Sequence, residues 1–440
     1  MRKKNNLWAL LLFVFFIQSS QAAFVIRDAE TEDYIRSMLD EILIASGINP
    51  KTINLFILKE DNINAFVFDG PNLFVHTGLI QSAENYEIVQ AVIAHEVGHI
   101  KGAHIINMNI NIKNAIAEAL FYSAAGALIA LTGGGASAAI ITGMGVGSQV
   151  AEKRFLGYTR TQEREADFHA SEPLLKLKSS GAGAIAVFEK FKELETRHVD
   201  VRKIDQYSTT HPFSDDRLEY FKRKFEGIEY KPNFREDLQV KHTLVLAKLA
   251  GYFNNMQNLF SYSFLKDEEA KLYFEGWNEF RKTRFTQAAE IFSQLSSKNP
   301  KNPYFYEAIA FAFQKNQEFE RSIVFYHKAL SLSPKNFNFM FGISESYFLK
   351  GDYKMAIKYM TEAMLQEPYN PQVPYKLASF YNASGEFLIA KIFFLESEVL
   401  LQRYSKAKEL LKQIKMDDDF KNNNISLNYK KKVLIIEELL

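Results

Sequence analysis

Pro300, Pro334 and Pro368 stand 34 residues apart, and that spacing constrains the chain more than any other feature. The same offset links Phe285, Phe319, Tyr353 and Phe387, and again Ala288, Ser322, Ala356 and Ala390. Ala310, Ser344 and Ala378 follow it as well. A unit of this length holds two short helices and cannot bury an apolar face alone, so its copies must stack. Small residues at fixed positions let paired helices approach closely, and aromatics fill the gap beside them. Proline stops the second helix of each pair.

This pattern resembles the tetratricopeptide repeat, with four copies over about residues 269–404 and an extension to 440. The resemblance implies an all-α solenoid over 269–440 whose concave surface accepts a protein partner. A helical stretch from Val240 to Phe264 leads into it, so residues 240–268 are expected to be a helical linker.

Upstream, residues 24–239 have a different texture. Ile35, Leu39, Ile42 and Leu43 recur at helical spacing between Asp28 and Ile44. Ile53–Leu58 and Ala65–Val75 alternate or run apolar around a turn at Asp69-Gly70-Pro71-Asn72, which predicts short strands. A helix is expected from about Asn85 to Ile106. The fold class is therefore α+β, a mostly helical domain with a small sheet, followed by an all-α array.

Two segments bear on membranes. Arg2, Lys3 and Lys4 precede an apolar stretch from Leu7 to Ile17, and Ser20-Gln21-Ala22-Ala23 offers small residues for cleavage. Residues 1–23 thus carry the pattern of a secretory signal peptide, cleaved near Ala22 or Ala23, which places the mature chain in the periplasm or associated with a membrane. Residues 119–151 contain no charge and include Gly133-Gly134-Gly135. Each half is shorter than the ~20 residues a span needs, so a packed helical pair with peripheral membrane contact is expected rather than a transmembrane hairpin.

His95-Glu96-Val97-Gly98-His99 matches H-E-x-x-H within the apolar frame of Val89, Val92, Ile93, Val97 and Ile100. Histidines four apart on a helix share a face, so both rings can reach one ion. Glu96 can act as general base toward a water polarised by that ion. The chain has no cysteine, so a zinc site must draw on histidine and carboxylate. Glu163, Glu165 and Asp167 are the candidate third ligands. Glu163 and Asp167 would share one helical face, and spacing alone does not choose between the carboxylates.

H-E-x-G-H followed by R-x-x-E-x-x-A-D, here Arg160 to Asp167, resembles the HtpX and CAAX-protease-like zinc metallopeptidases of the gluzincin group. The N-terminal signal and the C-terminal repeats point to the BepA/YfgC-like periplasmic branch. Asn64-Ala65-Phe66 and Thr77-Gly78-Leu79-Ile80 also match the segment before the zinc helix, while Asp69-Gly70-Pro71-Asn72 departs from it. The resemblance implies a zincin-type fold and one Zn2+ per chain, held by His95, His99 and Glu163, with Asp167 supporting a histidine ligand. His211-Pro212-Phe213-Ser214-Asp215-Asp216-Arg217 resembles the family's H-P-x-x-x-x-R element. His211 could steady an oxyanion or close the open zinc position. Arg217 could orient substrate or pair with a carboxylate.

Together these features predict a zinc endopeptidase acting on misfolded or misassembled envelope proteins, with the array docking substrate or an envelope partner. An extended substrate is expected to pair with a backbone edge near Phe74–Thr77. The alternatives are a chaperone or adaptor with a dormant zinc site, and an integral membrane peptidase. A net charge of +1 gives no field for nucleic-acid binding.

Overall fold

The computed structural model describes residues 24–68, 70–104, 160–196, 211, 214–228, 234–254, 263–422 and 424–440. The signal segment 1–23, Asp69 and the uncharged segment 119–151 lie outside the described residues. Among the described residues no helix is long and apolar enough to cross a membrane.

The chain enters through strand β1 (Phe24–Ile26), and Asp28 then caps helix α1 (Ala29–Ser46) by accepting from the Thr31 amide at 2.7 Å. Strands β2 (Asn54–Lys59), β3 (Ala65–Val67) and β4 (Asn72–His76) follow, in the sheet order β1-β2-β4-β3. Only the β2–β4 pairing is parallel. A short helix α2 (Thr77–Ser82) leads to α3 (Tyr86–Lys101), which carries the H-E-x-x-H motif. Helices α4 (Arg160–Lys176), α5 (Ala182–Thr196) and α6 (Asp215–Lys224) pack around it.

Two expectations need correction. Strand β4 is hydrogen-bonded on both sides, so Phe74–Thr77 offers no free backbone edge; among the described residues the outer strands are β1 and β3. Helix α3 ends at Lys101 rather than near Ile106, because Gly102 and Ala103 close it with a turn. The sequence reading also missed β1, which at three residues is too short to show a period.

The described part of the remainder is helical. Helix α7 (Glu236–Phe253) precedes four antiparallel pairs: α8 (Glu268–Arg281) with α9 (Phe285–Lys298), α10 (Pro303–Lys315) with α11 (Phe319–Leu332), α12 (Phe337–Lys350) with α13 (Tyr353–Gln366), and α14 (Gln372–Ala383) with α15 (Phe387–Leu400). Ala288, Ser322, Ala356 and Ala390 are all buried among the packed helices. The asparagines Asn302, Asn336 and Asn370, also 34 apart, each accept from a backbone amide that opens the next helix. Helices α16 (Tyr404–Met416), α17 (Asp418–Lys421) and α18 (Leu427–Leu439) finish the chain.

The two halves share buried structure. Leu238, Val245 and Leu249 of α7 belong to the core around the sheet, while Leu244, Leu246, Ala247, Ala250 and Tyr252 belong to the first core of the array. Residues 240–253 are therefore packed on both sides. The start of α1 is also clasped by the array. Arg27 donates to Glu367 across the junction and lies over the Phe337 ring, and Ala29 packs with Ala329 and Phe339. Beneath it, the buried Lys248 ammonium lies 2.6 Å from Asp28 and 3.4 Å from Glu30, which accepts from the Tyr273 hydroxyl. Burial pushes Glu30 up to about 7 and Glu307 up to about 8.

Lys248 is thus the buried cation of an acidic junction. Lys248→Met is expected to cost about 3–5 kcal/mol, because it strands buried negative charge. A carboxylate with a raised pKa contributes stability below its unfolded value, and loses it as pH rises through the folded one. The deficit, measured by denaturant unfolding, should therefore be smaller at pH 6 than at pH 8.

Candidate metal centre

Asn85 accepts from the Glu87 and Ile88 amides and starts α3 so that His95 and His99 point the same way, toward α4. Close approach of the two helices depends on Gly98. A Cβ there would fall 2.3 Å from the Ala166 carbonyl oxygen, so any larger residue would push α4 away. With α4 this close, Glu163 and Asp167 on its inner face meet both rings. Glu165 points elsewhere and is more than half exposed.

Four donors converge. His95 Nε2 lies 3.1 Å from His99 Nε2 and 3.3 Å from both His211 Nδ1 and Glu163 Oε2. Glu163 Oε1 lies 3.4 Å from His99 Nε2 and 3.2 Å from His211 Nδ1. A tetrahedral zinc with ligands at about 2.0–2.1 Å has edges of about 3.3 Å, so these spacings outline a cage of the right size. His95, His99, Glu163 and His211 are all buried, with ligand atoms within 4.8 Å of one another.

The surrounding charges fit a dication. The buried carboxylates Glu163 and Asp167 share one buried guanidinium, Arg217, which leaves one negative charge beside the buried Glu96 for a cation to balance. The local field already favours positive charge. Burial lowers His95, yet Asp167 and Glu163 outweigh it and raise it to about 9. Burial likewise opposes Glu163, but His211 and His95 hold its carboxyl far below the usual range.

Asp167 accepts from His95 Nδ1 at 2.9 Å, which leaves His95 Nε2 free to bind. Arg217 locks this arrangement. Its Nε lies 2.6 Å from Asp167 Oδ2, its Nη1 2.7 Å from Glu163 Oε2, and its guanidinium rests over the Phe188 ring at 4.9 Å. Of the two roles open for Arg217, pairing with carboxylates is the one its geometry supports. Glu96 is wholly buried, with His211 Nε2 3.4 Å from its carboxylate. Burial raises its pKa, countered in part by His211 and His95.

The H-E-x-x-H motif marks His95, Glu96 and His99, and helical spacing puts Glu163 and Asp167 on one face without choosing a ligand among the carboxylates. The sequence could not show that His211 and Arg217 close the far side of the site, because they enter from beyond α5. His104, which the sequence reading takes as a structural histidine, has its ring beside His99.

Residues 29–224 match the model of peptidase family M48. A Yersinia pestis beta-barrel assembly-enhancing protease is 22% identical over 299 residues, covering 66% of this chain and 60% of that protein. The Escherichia coli K12 protein of the same name is 26% identical over 249 residues, covering 56% of this chain and 49% of that protein. The chain thus spans about half to three fifths of the length of these curated relatives. A crystal structure of MamA aligns at 16% identity and a TM-score of 0.30, covering 37% of this chain and 94% of that one. Residues 29–224 are a peptidase family M48 domain, continued in the same chain by a solenoid of paired helices.

Proposed function

We propose that this protein is an exported zinc metalloendopeptidase that cleaves misfolded or misassembled outer-membrane proteins in the periplasm. The observation that carries this reading is the buried His95–His99–Glu163–His211 cluster with the buried Glu96 carboxylate beside it. The reading of residues 1–23 as a secretory signal supports export, and the names of the relatives support the substrate class.

His95, His99 and Glu163 would hold one Zn2+ per chain, and the bound ion would polarise the scissile carbonyl and acidify an attacking water. Glu96 accepts the proton of that water and delivers it to the leaving amine. Burial raises its pKa, the direction that lets a carboxylate hold a proton as well as accept one. Asp167 and Arg217 keep His95 in the binding tautomer. The outer strand β3, which packs on α3, is the backbone to which an extended substrate would add. The array would dock the substrate or an envelope partner through its solenoid surface.

His211 favours a resting form of this enzyme. Its Nδ1 stands among the donors while its Nε2 faces Glu96, so the ring fills the volume that a scissile carbonyl would need. Oxyanion support would instead require the ring to stand back from the ligand cage.

Glu96→Gln should reduce casein cleavage by about 10²–10⁴-fold while zinc content is unchanged. Undiminished cleavage in that variant, or a metal-free wild-type protein, would sink the proposal. His211→Ala should raise cleavage above wild type. A fall in cleavage with zinc retained would assign His211 to oxyanion support instead.

A further inference from the structure

Helix α3 ends in a turn that returns the chain onto its own last residues. The Ala103 amide donates to Ile100 O at 3.1 Å, and the His104 amide to His99 O at 3.0 Å. Ala103 closes this turn at φ +56°, a left-handed conformation that costs a residue with a Cβ more than glycine. The turn lays the His104 imidazole over Gly102, where an added Cβ would come within 2.5 Å of its Cε1.

In this position the His104 Nδ1 lies 3.3 Å from His99 Nδ1, with the rings at 68° and their centroids 5.5 Å apart. The other nitrogen, Nε2, lies 2.8 Å from Glu165 Oε2 on α4. The tautomers follow from the ends of this chain. His99 must keep a lone pair on Nε2 to face the donor cluster, so its proton sits on Nδ1. That N–H donates to His104 Nδ1, which places the His104 proton on Nε2, directed at the Glu165 carboxylate. Each bond polarises the next. The two ligand histidines are therefore backed differently, His95 by a carboxylate directly and His99 through an intervening imidazole.

We propose that His104, anchored by Glu165, is a positioning residue that fixes the tautomer and orientation of His99 and so sets the metal affinity of the site. This inference rests on His99 being a metal ligand, as in the reading above.

The test is zinc affinity of the full chain, measured by competition with a chromogenic chelator, together with the visible absorption of the Co2+-loaded protein. His104→Leu keeps bulk but removes the acceptor, and should weaken zinc binding about 10–100-fold and alter the cobalt bands. His104→Asn sets an amide oxygen near the lost Nδ1 and should recover most of that affinity. Gly102→Ala, which displaces the ring without changing it, should resemble the leucine variant. Glu165→Gln should weaken binding less, and add nothing in a His104→Leu background. Wild-type zinc affinity and unchanged cobalt bands in both His104→Leu and Gly102→Ala would overturn the proposal. If the leucine variant does not fold, wild-type affinity in both Gly102→Ala and Glu165→Gln would do the same. Failure of the wild-type protein to bind zinc or cobalt would strike the underlying metal site instead.

Discussion

Three carboxylates and a guanidinium are buried between α3, α4 and α6, and the peptidase half is arranged around keeping them there. Ionised groups removed from water are tolerated only when paired and hydrogen-bonded. Arg217 satisfies Asp167 and part of Glu163, and His95 takes what remains of Asp167. The charge left over is what a divalent cation would neutralise. Burial raises the pKa of Glu96, and the neighbouring His211 and His95 only partly counter it. Gly98 underlies all of this, since the clearance it leaves at Ala166 lets the acids of α4 reach the rings of α3.

The joint between the two halves follows the same logic of buried charge. Lys248 holds Asp28 and Glu30, Tyr273 completes Glu30, and Arg27 reaches Glu367 in the third helix pair. Helix α7 contributes apolar side chains to both cores. The joint thus ties the array to the other half through buried charge as well as apolar contact.

Much of the site was legible before the fold was known, for a definite reason. His95 and His99, and likewise Glu163 and Asp167, are pairs four apart on helices, so local geometry alone puts each pair on one face. The repeat was legible for the same reason, its small residues and prolines recurring in register with the helices they shape or end. Other features depend on contacts between distant residues. That β4 is interior and β3 an outer strand among the described residues is a matter of strand order, which alternation along a strand does not encode. The early end of α3 turns on Ala103 adopting a left-handed conformation, although nothing about alanine signals one.

The sequence by itself determined the elements and the identity of the chemical groups: a helix presenting two imidazoles and a glutamate, a second presenting two carboxylates, and a stack of helix pairs with a 34-residue period. These follow from interactions within a few residues along the chain. Only the tertiary structure decided which groups meet. It brought His211 into the cage, committed Arg217 to the acids, set His104 behind His99 and joined the array to the start of α1. Those pairings span tens to hundreds of residues, and their energies come from burial and charge compensation that exist only once the helices have packed.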